Sequence, residues 1–425
     1  MAHRCVGGVI NDPGSGGRQT RLHVAVLLWL SFVSTACSLT LPLDELSSGE
    51  AQRDAGPCEF ALEPRAAPKT GSSYDVVTAD MNADDILDLV FATNDKDAFQ
   101  DAVGGTSVFL GEGDGSFREW GGTASQGYIA YGVAAGDMDQ DGNTDVAVCL
   151  ADQDYQVTGL DAGLMRTYAG SAFGALDWRA NERMLRPREI ALADFDGDGR
   201  LDVVALGAPL EVSNTALYVF FGEDGASVAP PLVVDPPGVA MWRLTTGEFN
   251  GDGLADIAIA SLRSVHVVLG SSDRQLVVKG PFPVEDTTTG IAAGDFNRDG
   301  KQDIAVGMQS SFSFALLLGN GDATFMPHTE HLLLPSPERL AVADLDGDGN
   351  DDLIALGDGE NLALVRGRGD GTFEKPQEYH YDGSKSAGIA TGDWDRDGLL
   401  DVVVAGWSEQ FPTFLFGTCA PEPTK

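Results

Sequence analysis

Asp393-Trp-Asp-Arg-Asp-Gly-Leu-Leu-Asp401 places acidic residues at positions 1, 3, 5 and 9 around a glycine at position 6, and this nine-residue pattern occurs seven times in the 425-residue chain. Carboxylates at alternate positions of a tight turn aim their oxygens at one point, where they repel one another unless a cation lies between them. A hard divalent ion removes that repulsion, and Ca²⁺ accepts many oxygen ligands in flexible geometry. Glycine at position 6 suits the left-handed backbone that such a reversal requires.

Position 1 is Asp80, Asp137, Asp194, Glu248, Asp295, Asp344 or Asp393, so successive loops are 57, 57, 54, 47, 49 and 49 residues apart. Position 3 is Asn82, Asp139, Asp196, Asn250, Asn297, Asp346 or Asp395, and position 5 is Asp84, Asp141, Asp198, Asp252, Asp299, Asp348 or Asp397. Position 9 is Asp88, Asp145, Asp202, Asp256, Asp303, Asp352 or Asp401. By analogy with other acidic calcium loops, the main-chain carbonyl of position 7 completes each set: Ile86, Asn143, Arg200, Leu254, Lys301, Asn350 and Leu399. Up to seven Ca²⁺ ions are expected. Loops 1, 4 and 5 are the weak ones, because they carry Asn at position 3, and loop 1 has Asp85 in place of the glycine.

These are not EF-hands, which need a bidentate Glu at position 12 and flanking helices. Position 12 is apolar here, as in Val148, Ala205 and Val404, and the flanks Ile291-Ala-Ala-Gly294 and Ile304-Ala-Val306 read as strands. Each period then resolves into four short strands. The first ends at the loop in small residues (Ile190-Ala-Leu-Ala193), and the second leaves it as an unalternating apolar run (Val402-Val-Val-Ala405) suited to burial on both faces. The third ends in a glycine turn (Leu316-Leu-Leu-Gly-Asn-Gly-Asp-Ala-Thr-Phe325), and the fourth is polar. Four strands in a period of about 50 residues predict an all-β, seven-bladed β-propeller over residues 58–419.

The formal charge of −38 excludes nucleic acid as a partner, since phosphates need a basic face. Twenty-five of the carboxylates stand at loop positions 1, 3, 5 and 9, so the acidity belongs first to metal sites. Residues 1–36 carry basic residues ahead of the apolar run Val24–Ala36, which is too short for a comfortable membrane span and reads as a secretory signal. Ser34-Thr35-Ala36-Cys37 resembles a lipobox with Cys37 as the lipidation site, although small residues at 34 and 36 suit ordinary cleavage equally. Residues 37–57 read as a tether and 420–425 as a tail.

The acidic loops and the Leu-Gly-Asn-Gly-Asp-Ala-Thr-Phe turns resemble the FG-GAP or VCBS repeats of integrin α-subunit propellers and bacterial surface proteins. The resemblance covers residues 58–419 and implies a propeller fold and calcium; it does not specify an activity. It also implies that ligands bind on the face opposite the calcium loops. Six residues before each loop stand Tyr74, Tyr131, Arg188, Trp242, Thr289, Glu338 and Ala387, with Arg243 and Arg339 adjoining. Aromatic and Arg side chains around a concave mouth suit a protein, peptide or glycan.

Closure follows from bookkeeping. The last period stops after its third strand, while residues 59–65 precede the first period and align with a fourth strand. The N-terminal strand is therefore expected to complete blade 7, which brings Cys58 beside Cys419 as a disulfide latch; Cys149 reads as a small buried hydrophobe.

Arg368-Gly-Asp370 occupies an ordinary turn slot, and His328-Thr-Glu-His331 lacks the order of a zinc protease motif. The expectation is a non-catalytic, exported module, a monomeric ring on the cell envelope or outside the cell, touching membrane only through a lipid anchor. It would recognise an envelope or extracellular protein or glycan. The alternatives are a polysaccharide lyase or hydrolase built on a propeller scaffold, and a structural spacer.

Overall fold

The computed structural model describes residues 58–94, 105–125, 127–152, 162–208, 215–234, 241–333, 336–357, 361–380, 386–406 and 412–421; the expected signal segment, Cys37 and the tether lie outside them. Among the described residues there is no helix. The strands form seven four-stranded antiparallel blades, two of which share a strand.

Blade 1 runs from the channel outward through Ser73–Ala79, Asp88–Thr93, Gly105–Gly111 and Phe117–Ala124. Blade 2 comprises Tyr128–Gly136, Asp145–Asp152, Ala162–Ala169 and the long strand Asp177–Ala193. That strand continues as the inner strand of blade 3, followed by Asp202–Ala208, Ala216–Phe220 and Leu232–Val234. Blade 4 is Met241–Gly247, Asp256–Ser261, Ser264–Leu269 and Val277–Pro283. Blade 5 is Thr288–Gly294, Asp303–Met308, Ser313–Leu317 and Thr329–Leu332. Blade 6 is Pro337–Ala343, Asp352–Gly357, Asn361–Val365 and Gln377–His380.

Blade 7 has Ser386–Gly392, Asp401–Gly406 and Thr413–Pro421 from the end of the chain, and Cys58–Arg65 from its beginning as the outer strand. Phe60 pairs with Cys419 and Cys58 with Pro421. Each inner strand packs against the next, and that of blade 7 packs against that of blade 1.

The core is divided in the same way. Seven buried apolar clusters each join two neighbouring blades, the one between blades 7 and 1 containing Val76, Phe91, Phe109, Trp394, Phe414 and Phe416. The second strands are buried on both faces, as Asp256–Ser261 and Asp401–Gly406 illustrate, because a neighbouring blade covers each side. The outer strand Val277–Pro283 has no sheet beyond it and is largely exposed.

Candidate metal loops and channel rim

All seven acidic loops connect an inner strand to a second strand, and a common set of hydrogen bonds shapes them. The position 9 aspartate is at most 1 % exposed in every loop. One of its oxygens accepts the N–H of position 2, from Met81 to Asp88 (2.7 Å) through Trp394 to Asp401 (3.0 Å). The other accepts the N–H of the glycine that ends the third strand: Gly111, Gly170, Gly222, Gly270, Gly319, Gly367 and Gly417, at 2.7–2.9 Å.

The glycine is required by space. A Cβ at Gly319 would lie 2.2 Å from the Gln302 carbonyl oxygen, and one at Gly367 would lie 2.2 Å from that of Asp351, both position 8 carbonyls. Position 9, read from the sequence as a ligand, is therefore also a staple between its loop and the third strand. Burial pushes Asp88, Asp202, Asp256, Asp303, Asp352 and Asp401 up to about 7, and Asp145 up to about 6, against the pull of those backbone donors.

The remaining acidic positions curl the loop around itself. The N–H of position 6 donates to the position 1 carboxylate in six loops, for example Gly398 to Asp393 at 3.0 Å. The N–H of position 7 donates to position 5 in all seven. Position 6 is left-handed throughout, including Asp85 at φ 61°. So is position 4, which the sequence reading missed: Ala83, Gln140, Gly197, Gly251, Arg298, Gly347 and Arg396 have φ between 56° and 78°. Glycine at position 4 in three loops was the available signal.

Position 2 was missed as well. Met81, Met138, Phe195, Phe249, Phe296, Leu345 and Trp394 are all buried. In several loops the position 2 carbonyl accepts an N–H from the next blade, as Phe249 does from Ala323 (2.7 Å) and Trp394 from Gly115 (3.0 Å). Each loop thus rests on its neighbour.

Carboxylate oxygens come within 4.8 Å of one another in loops 2 (Asp137, Asp139, Asp145), 3 (Asp194, Asp196, Asp202), 6 (Asp344, Asp346, Asp348) and 7 (Asp393, Asp395, Asp401), and these clusters could hold a metal ion. The donors fit one: Asp344 Oδ1 and Asp395 Oδ1 are buried without a hydrogen-bond partner, an arrangement that costs free energy unless a cation meets those oxygens. Burial raises Asp194, Asp344 and Asp393. Arg65 also reaches Asp395 (2.8 Å), Arg274 reaches Asp196 (2.6 Å) and Arg366 reaches Asp346 (4.0 Å), so three position 3 carboxylates each already have a guanidinium partner.

At the other end of each inner strand, about 20 Å away for six residues of extended chain, the register slips. Tyr74, Tyr131, Trp242 and Glu338 each lie between two paired residues that flank a single step of the partner strand. Arg188, Thr289 and Ala387 fall in the corresponding irregularities of their blades. A β-bulge re-aims the residue it carries, and all seven rim residues read from the sequence stand at a bulge or register irregularity of this kind. The rings of Tyr74 and Tyr131, from adjacent blades, lie 4.6 Å apart. Arg188 is exposed, and the side chains of Trp242 and Ala387 lie outside the described residues. Arg339 ion-pairs with Glu189 at 2.9 Å, which takes it away from the rim.

The two motifs set aside from the sequence make local contacts. Asp370 accepts Thr372 N–H and Oγ1 within its turn, and His331 stacks on Phe314 with ring centroids 5.0 Å apart.

A family model described as an FG-GAP-like repeat matches residues 80–148, 194–259, 248–306, 295–355 and 344–404, each match starting at position 1 of one acidic loop. Among curated proteins the chain is similar to integrin alpha-3 of Mus musculus, 24% identical over 281 residues, and of Cricetulus griseus, 23% identical over 296 residues. These alignments cover 60% and 64% of this chain and 24% and 26% of the relatives, so the chain spans about a quarter of their length. Among solved structures it resembles BBS1N in complex with ARL6DN, in crystals soaked with mercury (TM-score 0.54, 10% identity, 85% of this chain and 97% of that one) and with lead (0.53, 9%, 86% and 98%). At that identity the likeness is one of fold alone. With family matches over more than half its length, the chain belongs to the FG-GAP-like repeat family.

Proposed function

We propose that this chain is a calcium-stabilised recognition module, without catalytic activity of its own, that binds a protein or glycan ligand at the channel rim. The observation that carries the reading is the rim itself: a register irregularity at the same place in every blade, with the Tyr74–Tyr131 pair and the exposed Arg188 among the residues on it. The similarity to integrin alpha-3 supports a protein ligand. The orphaned oxygens of Asp344 and Asp395 and the four converging clusters support metal binding, and an all-oxygen donor set favours Ca²⁺ over softer metals.

Two further parts belong to this proposal. Export and anchoring through Cys37 rest on the sequence of residues 1–37. The Cys58–Cys419 latch is supported by the register, which sets Cys58 two residues from the partner of Cys419, and by Cys419 standing outside the free thiols. The test is binding of the calcium-loaded protein to glycan and extracellular-protein panels, comparing wild type with Tyr131→Ala and Trp242→Ala. Ligands that bind both variants as tightly as wild type would remove the rim from the account, and turnover of a polysaccharide would replace recognition by catalysis.

A further inference from the structure

One residue further along each inner strand, the seven blades present Asp75, Gly132, Glu189, Arg243, Gly290, Arg339 and Gly388. The three glycines sit in tight surroundings: a Cβ would lie 2.3 Å from Asp75 Oδ1 at Gly388, where it has no room, 3.0 Å from the Arg339 main chain at Gly290, and 3.2 Å from the Ile190 side chain at Gly132. The four long side chains share a cavity of about 60 Å³ whose walls are otherwise mainly aliphatic, including Val133, Leu244 and Ile291.

Both acids in that cavity are held. Asp75 Oδ2 accepts Val133 N–H (3.2 Å). Glu189 accepts Leu244 N–H through Oε2 (3.1 Å) and Arg339 Nη1 through Oε1 (2.9 Å). Arg243 differs. Among the described residues it closes no ion pair within 4 Å and donates no side-chain hydrogen bond; burial and the nearby Arg339 push its guanidinium down to about 10, against the opposing pull of Glu189, Asp75 and Glu338. With the Asp75 and Glu189 carboxylates engaged by other donors, the half-buried Arg243 guanidinium keeps unmet N–H groups, a costly arrangement that an incoming acceptor relieves. The planar fork of Arg matches a carboxylate with two parallel N–H···O bonds.

We propose that this cavity is a carboxylate-binding site, in which Arg243 grips the carboxylate and Arg339, fixed by Glu189, adds positive charge behind it. A single water occupies roughly 10–15 Å³ of such space, so the cavity admits the carboxylate end of a molecule and leaves the rest in the channel. The group could come from a free small acid or from the end of a peptide lying across the rim. The site deepens the recognition reading by giving the channel a chemical preference, yet it stands without the rim aromatics.

The experiment titrates sodium acetate into the full calcium-loaded chain in buffer free of other carboxylates, read by calorimetry or by acetate line broadening in NMR. Saturable one-to-one binding with a dissociation constant on the order of 1 mM is expected. Arg243→Gln should weaken it at least tenfold, and Arg243→Lys, which keeps the charge and loses the fork, by a smaller factor. Trp178→Ala, on the exposed outer strand of blade 2, should leave it unchanged; the rim reading is tested by the glycan and protein panels instead, so loss of that reading and loss of this one are distinguishable. A short peptide with a free C-terminus that binds more tightly than acetate, and than its amidated form, would assign the group to a peptide; equal binding of acetate and peptide assigns it to small acids. Non-saturable acetate binding to wild type, or equal binding to a folded Arg243 variant, overturns the proposal. Should the Gln variant not fold, the Lys variant and the wild-type isotherm decide it.

Discussion

Arg339 of blade 6 donates through Nη1 to Glu189 Oε1 of blade 3 at 2.9 Å, joining residues 150 positions apart. Three blade steps separate them in a ring of seven, so the pair bridges the channel. Both side chains are largely shielded, at 17% and 11% exposure. Arg339→Met is therefore expected to destabilise the calcium-loaded protein by about 3 kcal/mol, because it strands the Glu189 carboxylate. Adding Glu189→Met should restore part of that loss. Urea melts of the two single variants and the double variant check it; additive losses would show that the pair does not couple the blades.

The staple glycines give a second expectation. Gly319→Ala forces a methyl group against the Gln302 carbonyl and pulls the donor away from Asp303. A loss of about 2–6 kcal/mol is expected from the overlap and the weakened bond together, against about 1–2 kcal/mol for an Ala substitution at Gly300, where nothing crowds the Cβ but φ is 78°. Thermal melts that rank the two in the opposite order would put the strain in the backbone angle rather than in the contact.

Stability should depend on pH in a direction that calcium reverses. The position 9 carboxyls are raised by burial from 3.8 to about 6 or 7. Through these groups the folded, ion-free protein binds more protons than the unfolded chain between about pH 4 and 7, and the stability they contribute is full below pH 4 and is lost as pH rises through 7. Calcium needs the deprotonated carboxylates, so its stabilisation grows over the same interval. Melting temperatures in EDTA should fall from pH 5 to 7.5, whereas those in millimolar Ca²⁺ should hold or rise. Parallel slopes in the two series would contradict the assignment.

Graded chelation should release ions in two groups. Loops 1, 4 and 5 carry Asn at position 3 and lie outside the four clusters of converging carboxylates, so their ions should leave before those of loops 2, 3, 6 and 7. Calorimetric titration of stripped protein is expected to resolve about four tight and three weaker sites. Seven equivalent sites would refute the ranking.

The proposed latch closes a loop of roughly 360 residues, for which chain entropy allows on the order of 6 kcal/mol and real bridges often deliver less. Cys419→Ser should lower the melting temperature under oxidising conditions and change little in reductant. Mass spectrometry that finds both Cys58 and Cys419 as free thiols would dispose of it.

What the chain announces by itself is whatever repeats locally. Seven copies of one nine-residue pattern and their apolar flanks specify strand, loop, strand, the blade count and the need for a borrowed strand at residues 59–65, because hydrogen-bonding pattern and burial period are properties of short segments. The double duty of Asp401 and its equivalents was only half visible, since its partner Gly417 arrives through the third strand. Position 2 carried an apolar residue every time, but that Trp394 would seal blade 7 against blade 1 depends on the ring having closed. Bulges at Tyr74 and Tyr131 left no mark of their own, because a one-residue slip shows only against the paired strand. The meeting of Asp75, Glu189, Arg243 and Arg339 was beyond any local reading. Each stands at the same place in its own repeat, and only the angular arrangement of the blades turns equivalent positions in a period into neighbours around one axis.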